Sequence, residues 1–251
     1  MQMNIFKTEH ELLSAIALYF INIAKEAIAE QGVCNVALAG GNSPKKLYRL
    51  LSSDEYKNKI NWSKVNVFFG DERYVPADDA QSNSLMIQNA LFEPLKISAS
   101  QIFKIDTTLP PDDAAKKYNE TIVAHVKQMP VRFDFMLLGL GDNAHTASLF
   151  PFSCVLAETY ATVKAVFLKE QNSYRITMTA PMINEAKHIA FLVYGKEKAQ
   201  AVYHVLKDER NPEKYPGQLI HPADGELQWF LDEAAASLLE DDLLHFKNKP
   251  L

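Results

Sequence analysis

Cysteine is scarce in this sequence of 251 residues: it occurs twice, at Cys34 and Cys154, without a CxxC motif or a zinc-ligand spacing. A small secreted protein held by disulfides needs closely organised cysteine pairs. The scarcity therefore excludes a disulfide framework and indicates a reducing compartment. We expect a cytoplasmic protein.

An excess of positive charge is also missing. The chain has 26 Lys and Arg against 31 Asp and Glu, which gives a net charge of −5 and a pI of about 5.8. Without a global positive field we expect no nucleic-acid partner, and any anionic ligand has to be held by a local cluster of donors.

Segments typical of export, membrane insertion and metal binding are missing as well. The start, MQMNIFKTEHELL, reaches Glu9 and Glu11 before any apolar run, unlike a secretory signal. The apolar stretches at residues 133–140 and 189–194 are far short of the roughly 20 residues that span a bilayer. HExxH, EF-hand and Cys/His zinc patterns do not occur. We expect no membrane partner and no required metal.

The sequence does contain an alternation of helical and strand patterns. Thr8 and Glu11 form a capping box ahead of an apolar helical repeat that ends at Gly32. Apolar runs typical of buried strands lie at residues 33–39, 65–69, 133–138, 163–168, 175–179 and 188–194. Further helical patterns lie at residues 44–51, 82–92, 112–127, 181–186, 196–206 and 232–239. The alternation predicts one α/β domain over residues 1–251, a doubly wound, mostly parallel sheet with helices on both faces.

The first candidate site loop is AGGNSP, residues 39–44. Ligands of open parallel sheets bind beyond the carboxyl ends of the strands, which is where this loop lies. Its glycines let the backbone approach an anion, and Pro44 begins a helix whose free N–H groups favour negative charge. A phosphate cradle formed by Gly41, Asn42 and Ser43 and an ordinary tight turn are both consistent with this loop.

Charged residues lie at or near the ends of other predicted strands. Asp71 and Arg73 lie in GDERYVP, directly after the strand at residues 65–69, where a solvated loop with internal ion pairs is the alternative to a site. Arg175 and Lys198 lie near the ends of two further strands. They are either ordinary surface charges or two more donors for a phosphate group.

The segment LGLGDNAHT, residues 138–146, supports more than one interpretation. It matches GxGxxA after a strand, with Glu170 ending the next strand pattern, as in a dinucleotide site. Against this, His145 stands at the helix start where such a fold would use a packing residue. A histidine there suits proton transfer, because its ordinary pKa of about 6.5 lies near working pH. A capping or surface histidine is the alternative.

These loops, in this order, resemble the 6-phosphogluconolactonase family, within the broader group that includes glucosamine-6-phosphate deaminase. The segments that carry the resemblance are LAGGNSPKKLY (38–48), VFFGDERYVPADDAQSN (67–83), FDFMLLGLGDNAHTASLFP (133–151), RITMTAPMINEAKHIAFLVYGKEKAQAV (175–202) and LQWFLDEAAA (227–236). The resemblance implies a NagB/RpiA/CoA transferase-like, Rossmann-type fold. It also implies hydrolysis of 6-phospho-D-glucono-1,5-lactone to 6-phospho-D-gluconate in the oxidative pentose phosphate pathway, without a cofactor and in a chain that we expect to be a monomer.

The resemblance also implies roles for single residues. His145 is the general base that activates water, and Asn143 is the residue that orients the imidazole ring of His145. The residues implied in the phosphate region are Gly41, Asn42, Ser43, Arg175 and Lys198. Asp71 and Arg73 line the site, Asp71 as a further catalytic residue and Arg73 as a substrate-binding residue.

The chain departs from the family pattern at Asn143-Ala144-His145, where family members commonly have Asp-Gly-His. Asparagine accepts a hydrogen bond but does not stabilise an imidazolium as a carboxylate would. The deaminase branch carries a glutamate a few residues after the histidine, where this chain has Phe150. Three alternatives therefore remain beside the lactonase: the deaminase, a non-catalytic sugar-phosphate-binding protein and, least favoured, an NAD-dependent dehydrogenase.

Overall fold

The computed structural model describes residues 1–126 and 131–239. The strands in these ranges are, in chain order, β1 (Gln2–Phe6), β2 (Cys34–Leu38), β3 (Val65–Phe69), β4 (Asp71–Arg73), β5 (Phe135–Leu138), β6 (Val163–Leu168), β7 (Ser173–Met178), β8 (His188–Val193) and β9 (Glu226–Asp232). The α-helices are α1 (Glu9–Gln31), α2 (Asn42–Leu51), α3 (Asn83–Ile87), α4 (Glu93–Leu95), α5 (Pro111–Val126), α6 (Ala180–Asn184) and α7 (Ala199–Leu206).

Six of these strands form one parallel sheet in the order β1-β9-β8-β5-β2-β3. Its central strands read as continuous buried runs, as expected of a parallel sheet covered by other elements. The predicted α/β class with a mostly parallel sheet is therefore confirmed.

The first helix forms as its capping signals predict. The Thr8 hydroxyl accepts a hydrogen bond from the Glu11 N–H, and the Glu11 carboxylate accepts one from the Thr8 N–H. Gly32 ends the helix with a φ of 81°, in the left-handed region that a residue with a Cβ adopts only at a cost.

Helix α1 is a longer apolar segment than the two stretches identified from the sequence, residues 133–140 and 189–194. The 23 residues of α1 reach a mean hydropathy of 1.6 over 18 residues, so by length and composition α1 is apolar enough to cross a membrane. Half of that window is buried inside the structure. The apolar face packs on the main sheet, and this accounts for its composition without a bilayer.

The strand that carries Arg175 does not belong to the parallel sheet. β4, β6 and β7 form a separate antiparallel sheet in the order β4-β7-β6. The reason is the short connection between β6 and β7, residues 169–172, because a parallel pairing needs a crossover of a dozen or more residues. Asp71 to Arg73, predicted as loop, form one of the two edge strands of this sheet.

The ends of the described chain also differ from prediction. β1 and β9 were not predicted as strands, yet they pair with each other at one edge of the main sheet. The helix-like segment at residues 232–239 forms turns instead, with Ala235, Ala236 and Leu239 buried against the core. Lys127, the predicted end of the helix that begins near Asp112, lies outside the described residues, as do residues 240–251 of the predicted domain.

Candidate active site

A cavity of about 250 Å³ lies where the carboxyl ends of β2, β5 and β8 meet the small antiparallel sheet. Eight of the nine predicted site residues line it: Gly41, Asn42, Ser43, Asp71, Arg73, His145, Arg175 and Lys198. The ninth, Asn143, lies behind the ring of His145. Residues from many parts of the sequence thus meet in one place because parallel strands end at the same edge of the sheet.

The glycine loop combines both features that its sequence suggested. Gly41 has a φ of 101° and precedes α2, whose first turn begins at Asn42, two residues before the predicted start at Pro44. Asn42, Ser43 and Pro44 of this first turn line the cavity, so the N-terminus of α2 lies beside it, as in a helix N-terminal anion site. Gly40 is needed for a different reason, since a Cβ there would lie 1.9 Å from Oδ1 of Asn83.

His145 is carried by a tight turn after β5. Ala144 has a φ of 62° and is fully buried, so an alanine occupies the left-handed conformation that usually favours glycine. The turn is closed by hydrogen bonds from the Ala144 N–H to Gly141 O (2.9 Å) and from the Gly141 N–H to His145 O (2.8 Å). The Gly217 N–H donates to Ala144 O (2.9 Å), so the loop after α7 also holds the turn.

The tautomer of His145 follows from its contacts with Asn143. Oδ1 of Asn143 lies 3.3 Å from the backbone N of His145 and 2.5 Å from its Nδ1. Because a backbone N–H only donates, the atom facing it is the amide oxygen, and Nδ1 must carry the proton that this oxygen accepts. The lone pair then lies on Nε2, the nitrogen that a general base needs free.

The ring of His145 is packed between small and aromatic groups. Phe150 stacks on it with a centroid distance of 4.1 Å and an interplanar angle of 17°. The backbone of Gly141 also lies close to the ring, and a Cβ added at Gly141 would lie 2.0 Å from its Cε1 and Nδ1. Glycine at 141 is therefore required by the close approach of the imidazole.

Burial, together with the positive charges of Lys198 and Arg175, lowers the pKa of His145 to about 4, while the Asp142 carboxylate acts in the opposite direction. Both effects oppose an additional positive charge on the ring. The imidazole is therefore neutral at physiological pH and able to accept a proton.

Asp71 is a buried carboxylate beside the same cavity. Ser148 donates to its Oδ2 (2.6 Å), and the side-chain amide of Asn83 donates to its backbone oxygen (3.0 Å) and Oδ1 (3.4 Å). Burial raises the pKa of Asp71, opposed by the Ser148 hydrogen bond and the charges of Arg73 and Arg175. Sequence reasoning assigned no role to Ser148 and Asn83, although both lie in the segments quoted for the resemblance.

The two arginines are brought together by the small sheet. Arg73 and Arg175 are direct partners in the pairing of β4 with β7 and both line the cavity. Like charges directly opposite in a sheet are destabilising, and Nε of Arg175 is buried without a hydrogen-bond partner in the described structure. This arrangement is suited to an anion, which would relieve the repulsion and satisfy the free donor.

Lys198 completes the polar wall of the cavity. It lies at the end of a 3₁₀ turn, Lys196–Lys198, that follows β8, and its Nζ lies 2.5 Å from Oδ1 of Asp142.

In the described ranges, 1–126 and 131–239, no group of three or more His, Cys, Asp or Glu side chains is placed to hold a metal ion.

Comparison with known proteins agrees with this geometry. Residues 7–229 match the family described as glucosamine-6-phosphate isomerases/6-phosphogluconolactonase. A probable 6-phosphogluconolactonase 3, chloroplastic, from Oryza sativa subsp. indica is 37% identical, over 94% of this chain and 75% of the relative. A 6-phosphogluconolactonase from Synechocystis sp. is 37% identical, over 85% of this chain and 88% of the relative. The solved 6-phosphogluconolactonase of Trypanosoma cruzi superposes with a TM-score of 0.84 at 27% identity, covering 95% of this chain and 97% of that one.

Proposed function

Because the chain belongs to the glucosamine-6-phosphate isomerase/6-phosphogluconolactonase family, we propose that it is a 6-phosphogluconolactonase. It hydrolyses 6-phospho-D-glucono-1,5-lactone to 6-phospho-D-gluconate, the lactonase step of the oxidative pentose phosphate pathway. The observation that carries the proposal is a neutral histidine, oriented by Asn143, in a cavity that also holds three cations and a helix N-terminus.

His145 acts as the general base. Nε2 takes a proton from a water molecule while the water oxygen attacks the lactone carbonyl carbon, which forms a tetrahedral intermediate. The lactone carbonyl is already electrophilic, so one base together with stabilisation of the oxyanion is sufficient chemistry. The protonated imidazole then donates this proton to the endocyclic oxygen of the lactone as the bond between the carbonyl carbon and that oxygen breaks.

The phosphate group binds to the part of the cavity wall that the glycine loop and two of the cations form. The support for this is the convergence of the first turn of α2, at Gly41, Asn42 and Ser43, with the side chains of Arg175 and Lys198 on one cavity. Arginine offers two parallel donors to a phosphate and lysine a compact charge, which together match a dianion.

In this proposal Asp71 and Arg73, which line the same cavity, contact the sugar. Asp71 lines the cavity, and its carboxylate is an acceptor for sugar hydroxyl groups beyond the hydrogen bonds it receives from Ser148 and Asn83. The same carboxylate balances the paired charges of Arg73 and Arg175. Its role in this proposal is to bind and orient the substrate.

The deaminase alternative needs a second acid beside the histidine to open a sugar ring. Phe150 lies against the imidazole instead, with its ring stacked at 4.1 Å. An aromatic ring neither donates nor accepts the proton that ring opening requires, and this favours the lactonase over the deaminase.

We also propose that the chain works as a monomer, as one domain and in the cytoplasm. The support is that one chain supplies all the cavity residues and that both cysteines are free thiols in the structure. Curated relatives include chloroplastic enzymes, so a fractionation experiment would decide the compartment.

The test is the loss of freshly prepared 6-phosphogluconolactone, with spontaneous hydrolysis subtracted. We expect clear turnover by the wild type, a fall of about 10² to 10⁴ in kcat for His145→Ala, and no change for His10→Ala, an exposed histidine outside the cavity. Wild-type hydrolysis no faster than buffer would refute the proposal. Binding of 6-phosphogluconate without turnover would then favour a sugar-phosphate-binding protein, and ammonia release from glucosamine 6-phosphate would favour the deaminase.

A further inference from the structure

The three cations of the cavity differ in their partners. Arg73 donates to the backbone oxygen of Gln81 (2.7 Å), and Arg175 donates to the side-chain oxygen of Gln171 (2.5 Å). Both acceptors are neutral. Lys198 is the one of the three that has a carboxylate partner within 4 Å in the described ranges, Oδ1 of Asp142.

This ion pair joins two segments of the candidate site that follow different strands. Asp142 follows Gly141 directly, in the turn after β5 that carries His145, whereas Lys198 follows the neighbouring strand β8. The side chain of Lys198 is 22% exposed and that of Asp142 is 73% exposed. The ammonium group thus belongs to the cavity wall, while the carboxylate that holds it is largely in solvent.

An exposed carboxylate is a weak competitor for this ammonium. Ion pairs with an exposed partner change an equilibrium by at most about fivefold. A phosphate ester carries up to two negative charges and three acceptor oxygens, and in this cavity it also meets the N-terminus of α2. A phosphate group in this cavity is therefore a stronger partner for the ammonium than the Asp142 carboxylate.

We propose that Asp142 is an internal counter-ion of the phosphate site, which holds Lys198 while the cavity is empty and is exchanged for a phosphate oxygen when a phosphorylated ligand binds. Part of the attraction between ligand and lysine is used to break the existing pair. Asp142 accordingly weakens the binding of substrate, product and inorganic phosphate alike, and it assists the release of the product. The proposal rests on the proposed function for the identity of the substrate.

The test is the affinity of the full chain for inorganic phosphate, measured by isothermal titration calorimetry. Asp142→Asn keeps the shape of the side chain and removes its charge, and we expect it to tighten phosphate binding by about two- to fivefold. In a Lys198→Ala background the same substitution should have no effect, because the partner of the carboxylate is gone. 6-Phosphogluconate should inhibit the wild type more weakly than it inhibits Asp142→Asn, with an inhibition constant that is higher by a similar factor.

Glu197→Gln is the matched control, since it removes the same charge from the residue next to Lys198. The Glu197 carboxylate lies against Gly195 and makes no described ion pair with the lysine. We expect its phosphate affinity to equal that of the wild type. Equal tightening in both variants would show a general charge effect and overturn the proposal, as would unchanged or weaker phosphate binding by Asp142→Asn. The titration needs no turnover, so a chain that binds phosphate as expected but fails to hydrolyse the lactone refutes the proposed function and not this exchange.

Discussion

Replacing Asn143 with aspartate tests how this site tunes its base. The substitution places a carboxylate where the amide oxygen now lies 2.5 Å from Nδ1 of His145. A negative charge at that distance favours the imidazolium and typically raises the pKa of its partner by about one to three units. The pKa of His145 should therefore rise from about 4 towards its ordinary value near 6.5.

The direction of the pH effect follows from the role of the neutral ring. A general base works when deprotonated, so activity is lost as the pH falls through its pKa. In the wild type the acid limb of kcat/KM should lie at about pH 4, and in Asn143→Asp it should lie at roughly pH 5 to 7. At pH 8 both bases are deprotonated, and the variant should have the higher kcat because its base is stronger.

The assay is the pH dependence of kcat/KM with unphosphorylated glucono-1,5-lactone, which has no titrating phosphate, after subtraction of spontaneous hydrolysis. Circular dichroism at each pH shows that both proteins remain folded. An acid limb at the same pH in both enzymes would contradict the reasoning, because it would mean that a group other than His145 controls the rate. His145→Ala should lose the limb together with most of the activity.

Three further predictions follow from named contacts. Gly141→Ala should lower kcat by about 10² or more, because the added Cβ would lie 2.0 Å from the His145 ring. Gly70→Ala is the control and should leave kcat unchanged, since its added Cβ would lie 3.7 Å from Leu38 O, an ordinary contact, and Gly70 does not line the cavity. Lys198→Ala should raise KM for the phosphorylated lactone by about tenfold or more, through loss of a charge-assisted hydrogen bond, with a smaller change in kcat; an unchanged KM would place the phosphate elsewhere. In urea unfolding at several pH values, the free energy of unfolding should fall by at most about 3 kcal/mol through His145 between pH 6.5 and pH 4, because the unfolded chain binds the proton first. The free energy of unfolding of His145→Gln should fall by less over the same interval.

Much of the fold could be predicted because its signals are local. The capping box at Thr8, the stop at Gly32 and the apolar runs of the central strands depend on residues close together in the chain, and the structure has them at the predicted places. The short connection between β6 and β7 was also a local signal, and applying the length rule for crossovers would have separated the antiparallel sheet from the parallel one.

Edge elements were harder to predict. β1 has a largely half-buried, mixed sequence, and β9 follows a loop rather than a helix, so neither repeats the pattern of the central strands. Their pairing joins the two ends of the described chain, which no periodicity within either segment reveals.

For the candidate site, the sequence alone determined which residues are available: a glycine loop before a helix, charged residues near strand ends, and a histidine after a strand, all in segments that resemble a known family. The tertiary structure decided how they act. It placed Arg73 opposite Arg175, closed Ser148 onto Asp71, stacked Phe150 on His145 and joined Lys198 to Asp142. The physical reason is that turns and caps form between neighbours in the chain, whereas charge pairing, burial and the pKa of His145 depend on distances between atoms that only the packing of the two sheets sets.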